Sequence, residues 1–102
     1  MPNKVFLAIF DAKMKTYVNR KDYARFLKKL KGEGFLLLQK SVYIKHSISY
    51  ETIEGLSAKI KKILPVSVGL ILLAIPIEIV KNGEYCNCLK PNLIENKTII
   101  CV

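Results

Sequence analysis

Apolar positions along this chain follow two rhythms in alternation, and the switches between them predict strands and helices. Val5–Phe10 is an apolar run without helical spacing and reads as a strand, and the Lys-, Thr- and Asn-bearing stretch Ala12–Asn19 reads as loop. From Asn19, taken as the N-cap, Tyr23, Phe26, Leu27 and Leu30 fall at helical spacing. Lys28, Lys29 and Lys31 crowd the end before Gly32 and Gly34, so the first helix is predicted over Arg20–Lys31. Phe35–His46 is extended by composition, and a break near Lys40–Ser41 divides it into two strands, the second carrying Val42, Tyr43 and Ile44. A second helix is predicted after Ser49, where Ile53, Leu56, Ile60, Ile63 and Leu64 repeat helically until Pro65 stops them.

The apolar stretch Val66–Val80 has to be weighed as a membrane span. It is shorter than the roughly 20 residues a spanning helix needs, holds Pro76 and Glu78, and is dense in β-branched residues. No membrane association is expected from it, and the stretch reads as a buried central strand. Asn82-Gly83 is a hairpin turn signal between Ile77–Val80 and Glu84–Cys88, and Thr98–Val102 is a last β-rich segment. The order strand, helix, strand, strand, helix, strand predicts an α+β, ferredoxin-like βαββαβ fold, an antiparallel sheet with two helices on one face. A core is expected over 1–76. Residues 77–102 are expected to add a hairpin and an extra C-terminal edge strand that pairs with the core or with a second protomer.

Charge narrows the partners. Seventeen basic residues against eight acidic ones leave a formal net charge of +9 on 102 residues, which favours a polyanion. Only Arg20 and Arg25 are arginines and the other fifteen are lysines, so point charges outnumber the planar forks that read guanine edges. Contact with a phosphate backbone is expected, with Lys13, Lys15, Arg20 and Arg25 as the candidate contacts. Three cysteines, Cys86, Cys88 and Cys101, and no apolar leader suggest a reduced, cytoplasmic protein. Cys86-x-Cys88 is half of a zinc site, but the single histidine, His46, lies far off in sequence, and ordinary thiols are the simpler reading.

The candidate chemistry rests on Asp11, an acid where the first strand runs out, placed to hold a hard cation or to start a turn. Its meaning grows with its neighbours. The strand ending in Phe10-Asp11, the R-K-x-Y-x-x-F-x-x-x-L pattern at Arg20–Leu30 and the G-F-x-x-x-Q-x-S-V-Y pattern at Gly34–Tyr43 together resemble the CRISPR-associated Cas-two (Cas2) family. The likeness runs from Lys4 to about Ala74.

That resemblance implies a homodimer of ferredoxin-like protomers that holds double-stranded prespacer DNA and works with the Cas-one (Cas1) integrase in acquiring spacers. It also implies that Asp11 matches the family's strand-end aspartate, the residue implicated in magnesium binding and phosphodiester cleavage. Magnesium is therefore the expected cofactor, RNA is a second polyanion to test, and enzymatic activity is left open. One carboxylate is too few for a two-metal phosphodiesterase, but a two-fold axis would supply a second Asp11. Tyr43 is carried as a phosphate contact or as sheet packing, Ser41 as the strand break, Gln39 as a partner for a buried backbone group and His46 as a polar strand end. The chain departs from the family in reading Asp11-Ala12-Lys13-Met14, where many relatives place proline, and in its tail beyond Pro76. The alternatives are a stand-alone metal-dependent ribonuclease or DNase and a toxin-like ribonuclease of related fold.

Overall fold

The computed structural model describes residues 4–46, 51–87, 91–94 and 98–101. The elements run β1 (Lys4–Ala12), α1 (Tyr17–Gly32), β2 (Leu36–Gln39), β3 (Val42–His46), α2 (Ile53–Lys61), β4 (Val68–Pro76), α3 (Ile77–Lys81), β5 (Pro91–Ile94) and β6 (Thr98–Cys101). β1 to β4 form one antiparallel sheet in the order β2-β3-β1-β4, the expected α+β, ferredoxin-like arrangement. The molecule is only 18 Å deep along its shortest axis, the depth of one sheet and one helix layer.

The helices cover one face. Phe6, Ala8 and Phe10 of β1 pack with Phe26 and Leu30 of α1 and Leu56 and Ile60 of α2, all buried. Phe10 anchors this layer: its ring meets Phe26 edge-on at 5.7 Å and lies tilted against Tyr43 at 5.6 Å. At the far end Lys45, on β3, reaches Glu51 at 2.9 Å, and both side chains are nearly buried.

Helix ends differ from the sequence expectation for a local reason. α1 begins at Tyr17 because the Thr16 hydroxyl, not the side chain of Asn19, caps it: the Asn19 backbone N–H donates to Thr16 Oγ1 at 3.0 Å. The first turn, with Tyr17 and Val18 largely exposed, puts nothing into the core and so shows no apolar period. α2 likewise starts at Ile53 behind Thr52, whose Oγ1 accepts from the Gly55 N–H at 3.1 Å. Ser49 lies outside the described residues. The break at Lys40–Ser41 is where it was expected, with Ser41 in the left-handed region at φ 67°.

Three expectations for the C-terminal third are corrected. β4 is an edge strand, not a central one, and its exposed positions include Ile71 and Leu73. Residues 77–81 turn into α3, since Pro76 fits the entry to a helix and Glu78 its first turn, so Asn82-Gly83 is a helix end and not a hairpin turn. Residues 84–87 are not a strand, and Cys88 lies outside the described residues. The last segment, β6, pairs with β5 in a separate two-stranded sheet and comes near β2 and β3.

The second face of the main sheet is apolar as well. Val5 and Ile44 are closed over by Val80 of α3, with Tyr85 packed alongside and its hydroxyl donating to the Val80 carbonyl at 2.7 Å. The register places Ile9 beside Ile71 and Leu7 beside Leu73 on this face, and Ile71 remains 57 % exposed and Leu73 43 %.

Candidate metal and nucleic-acid site

β1 alternates strictly, so Phe10 points at the helices and Asp11 at the open face. Asp11 is exposed, at the end of the row that Leu7 and Ile9 begin. The backbone beneath it is well tied: the Phe10 N–H donates to the Ser41 carbonyl at 3.0 Å and the Lys13 N–H to the Ser67 carbonyl at 2.9 Å.

Opposite Asp11 on β4 stands Gly69, a residue that sequence reading passed over. A Cβ added to Gly69 would meet only the Asp11 carbonyl oxygen, at 3.9 Å, an ordinary contact. An open hollow of about 290 Å³ lies beside the carboxylate, with Gly69, Ile9 and Ile71 among its lining. Register alone reveals this pairing; nothing in the V-S-V-G-L-I stretch marks the glycine as Asp11's neighbour.

Among the described residues no three His, Cys, Asp or Glu side chains gather into a metal cage. The residues present still fit magnesium, which keeps several waters and takes one or two carboxylates. Asp11 supplies one at an exposed position, and because the hollow beside it is otherwise lined by apolar side chains, the waters of a bound ion would face the solvent side.

The other candidates divide into two groups. Lys13 and Lys15 are exposed in the corner that follows β1, and Arg20 joins them by donating from Nη1 to the Met14 carbonyl at 3.2 Å. Arg25 sits farther along α1, held only loosely by Asp22 at 3.6 Å. Tyr43 is corrected as a nucleic-acid contact. It is 3 % exposed on the helix-side face, opposite the face that carries Asp11, and its buried ring has no surface to offer. Burial, and secondarily the neighbouring Tyr23, push its hydroxyl above the usual tyrosine pKa. Gln39 is exposed. His46 pairs with Val5, about 20 Å along β1 from Asp11, and takes no part there. Cys86 is an exposed free thiol.

The family described as CRISPR associated protein Cas2 matches residues 4–81. A "CRISPR-associated endoribonuclease Cas2" of Ligilactobacillus salivarius is 36 % identical over 59 residues, 58 % of each chain. One of the same description from Parvibaculum lavamentivorans is 46 % identical over 48 residues, 47 % of this chain and 48 % of that one. The chain spans about half the length of the curated relatives it matches.

Proposed function

The chain belongs to the CRISPR-associated Cas2 family, and from that premise we propose that it acts as a homodimeric scaffold that holds double-stranded DNA for the Cas1 integrase during spacer acquisition. The observation that carries this reading is the uncovered apolar face ending in Asp11. A single chain leaves Ile71 and Leu73 to water, and a second copy laid against the same face by a two-fold axis would cover both rows at once. The same operation sets one Asp11 near its mate. The net charge of +9 supplies attraction to a phosphate backbone without sequence preference, and Lys13, Lys15 and Arg20 gather it at the Asp11 end of the sheet.

A second reading is favoured by the printed description of both relatives as endoribonucleases. In it Asp11 would hold magnesium, which when bound neutralises phosphate charge and acidifies water. The chain's own part is then limited to three acts. Asp11 places the ion, Lys13, Lys15 and Arg20 position the phosphodiester, and the apolar rows beside Asp11, once a second copy covers them, would shield the hollow from bulk water. With one carboxylate per chain, cleavage is slow and depends on the dimer.

The deciding experiment incubates labelled duplex DNA and RNA with wild type and Asp11→Ala, with and without magnesium. Retention is scored on a native gel and cleavage on a denaturing one. Salt-sensitive retention of intact duplex by both proteins supports the scaffold. Cleavage that needs both magnesium and Asp11 makes the nuclease reading primary, and absence of retention at low salt would defeat both.

A further inference from the structure

A second concave site lies on the helical layer, away from Asp11. Between α1 and the end of α2 is a cleft of about 330 Å³ with Asp22, Arg25 and Lys29 on one wall, Lys62 and Val66 on the other and Phe26 at its base. On α1 these residues stand at helical spacing, so Arg25 and Lys29 project from one stripe. Lys62 follows the last turn of α2, and Val66 is fully exposed on the rim.

The electrostatics of the cleft are one-sided. Three cations face one carboxylate, and that carboxylate does not neutralise Arg25. The Arg25–Asp22 pair is 3.6 Å long, with side chains 55 % and 37 % exposed, and exposed pairs of this kind contribute little. The partial negative charge at the end of α2 is outweighed by Lys61 and Lys62 at that end.

We propose that this cleft binds one nucleotide unit of a single-stranded nucleic acid, its phosphate among Arg25, Lys29 and Lys62 and its sugar or base against the apolar rim at Val66. Shape excludes the alternative of a duplex. A stiff double helix presents its phosphates on a convex surface and cannot send one between two helices, whereas an unpaired strand can bend into the cleft. The volume suits a nucleotide and leaves little room for more. The assignment rests on the reading that the chain binds nucleic acid, and adds to it a place for an unpaired end beside the duplex.

The test compares fluorescence anisotropy of labelled single-stranded and duplex DNA of equal length across a salt series. The cleft variant is Arg25→Ala/Lys29→Ala/Lys62→Ala, and the control Lys40→Ala/Lys59→Ala/Lys81→Ala removes the same charge from exposed sites elsewhere. Circular dichroism melts confirm folding of each. Single-strand affinity should fall at least tenfold in the cleft variant only, with a salt slope flatter by about 0.7, the value for one lost phosphate contact. Asp22→Asn should tighten single-strand binding. Equal losses in the two triple variants would overturn the cleft while leaving the general nucleic-acid reading intact, as would equal losses for duplex and single strand. Displacement of the single strand by polyglutamate, as effective as by unlabelled DNA, would reassign the cleft to an acidic peptide. Wild type that retains no DNA of either kind would overturn both readings together.

Discussion

Ile71→Lys tests the proposed dimer at its centre. The residue is 57 % exposed in the single chain, so lysine there disturbs neither the core nor the β1–β4 ladder, and the monomer should fold as before. Full burial of an isoleucine side chain is worth about 1.5–3 kcal/mol, so covering its exposed part recovers about 0.9–1.7 kcal/mol. A two-fold interface uses the residue twice, which makes the loss about 2–3 kcal/mol and the dissociation constant about 30- to 150-fold higher. Desolvating two ammonium groups in an apolar interface adds to that. Sedimentation equilibrium over a concentration series reads the change directly, and a thermal melt at low concentration reports whether the monomer is intact. A folded Ile71→Lys protein that self-associates as tightly as wild type would refute the argument, and so would a wild type that is monomeric throughout.

Other parts of the structure give separate expectations. Glu51→Gln or Lys45→Met breaks a 2.9 Å ion pair whose side chains are 10–11 % exposed, and either should cost about 3 kcal/mol in urea unfolding, with the double variant losing less than the sum. Gly69→Val should leave the fold intact, since a Cβ there meets nothing closer than 3.9 Å. It should also crowd the hollow beside Asp11 and weaken manganese binding, measured by the electron paramagnetic resonance of the free ion. Tyr43, whose folded pKa is raised by burial and by Tyr23, should titrate above the ordinary tyrosine value in near-ultraviolet absorbance, and Tyr43→Phe should delete that late step. A raised folded value means that this contribution to stability is complete below the unfolded tyrosine pKa of about 10 and is lost as pH climbs through the folded one.

Much of the fold was legible because its signals are local. The run Val5–Phe10, the period from Tyr23 to Leu30 and the punctuation at Lys40–Ser41 each reflect one face, one stripe or one turn, and β1, α1 and the β2–β3 pair stand where these put them. What misled was a strand apolar on both faces. β4 reads as central because periodicity counts apolar side chains without saying whether both faces are covered, and here α3 covers the second face only near Ile75 and leaves Ile71 and Leu73 exposed. α3 was hidden by the same apolar density, which runs unbroken from Val66 to Val80 while the backbone turns at Pro76. At the site, the strand-end position of Asp11 was visible in the sequence, but its pairing with Gly69 is a fact of register. Tyr43 kept two readings, sheet packing and phosphate contact, because an aromatic on a strand points to one side or the other by parity, and only the pairing with Ala8 fixes which. Lys29 and Lys62 read in sequence only as charges at helix ends, because they share a cleft only once α1 and α2 are packed side by side.

Asp11 is carried by a strand with a hydrogen-bonded neighbour on each side, and the lysines next to it extend from a corner of four residues between β1 and α1. Amide exchange should divide the site accordingly, slow through Ala8 and Phe10 and fast at Lys15. The backbone that carries Asp11 is thus fixed on the timescale on which a strand opens, and the corner that carries the lysines moves on the nanosecond timescale of loops. On the proposed function, differences in the shape of a bound backbone would be absorbed by Lys13 and Lys15, while the strand holds Asp11 in one place.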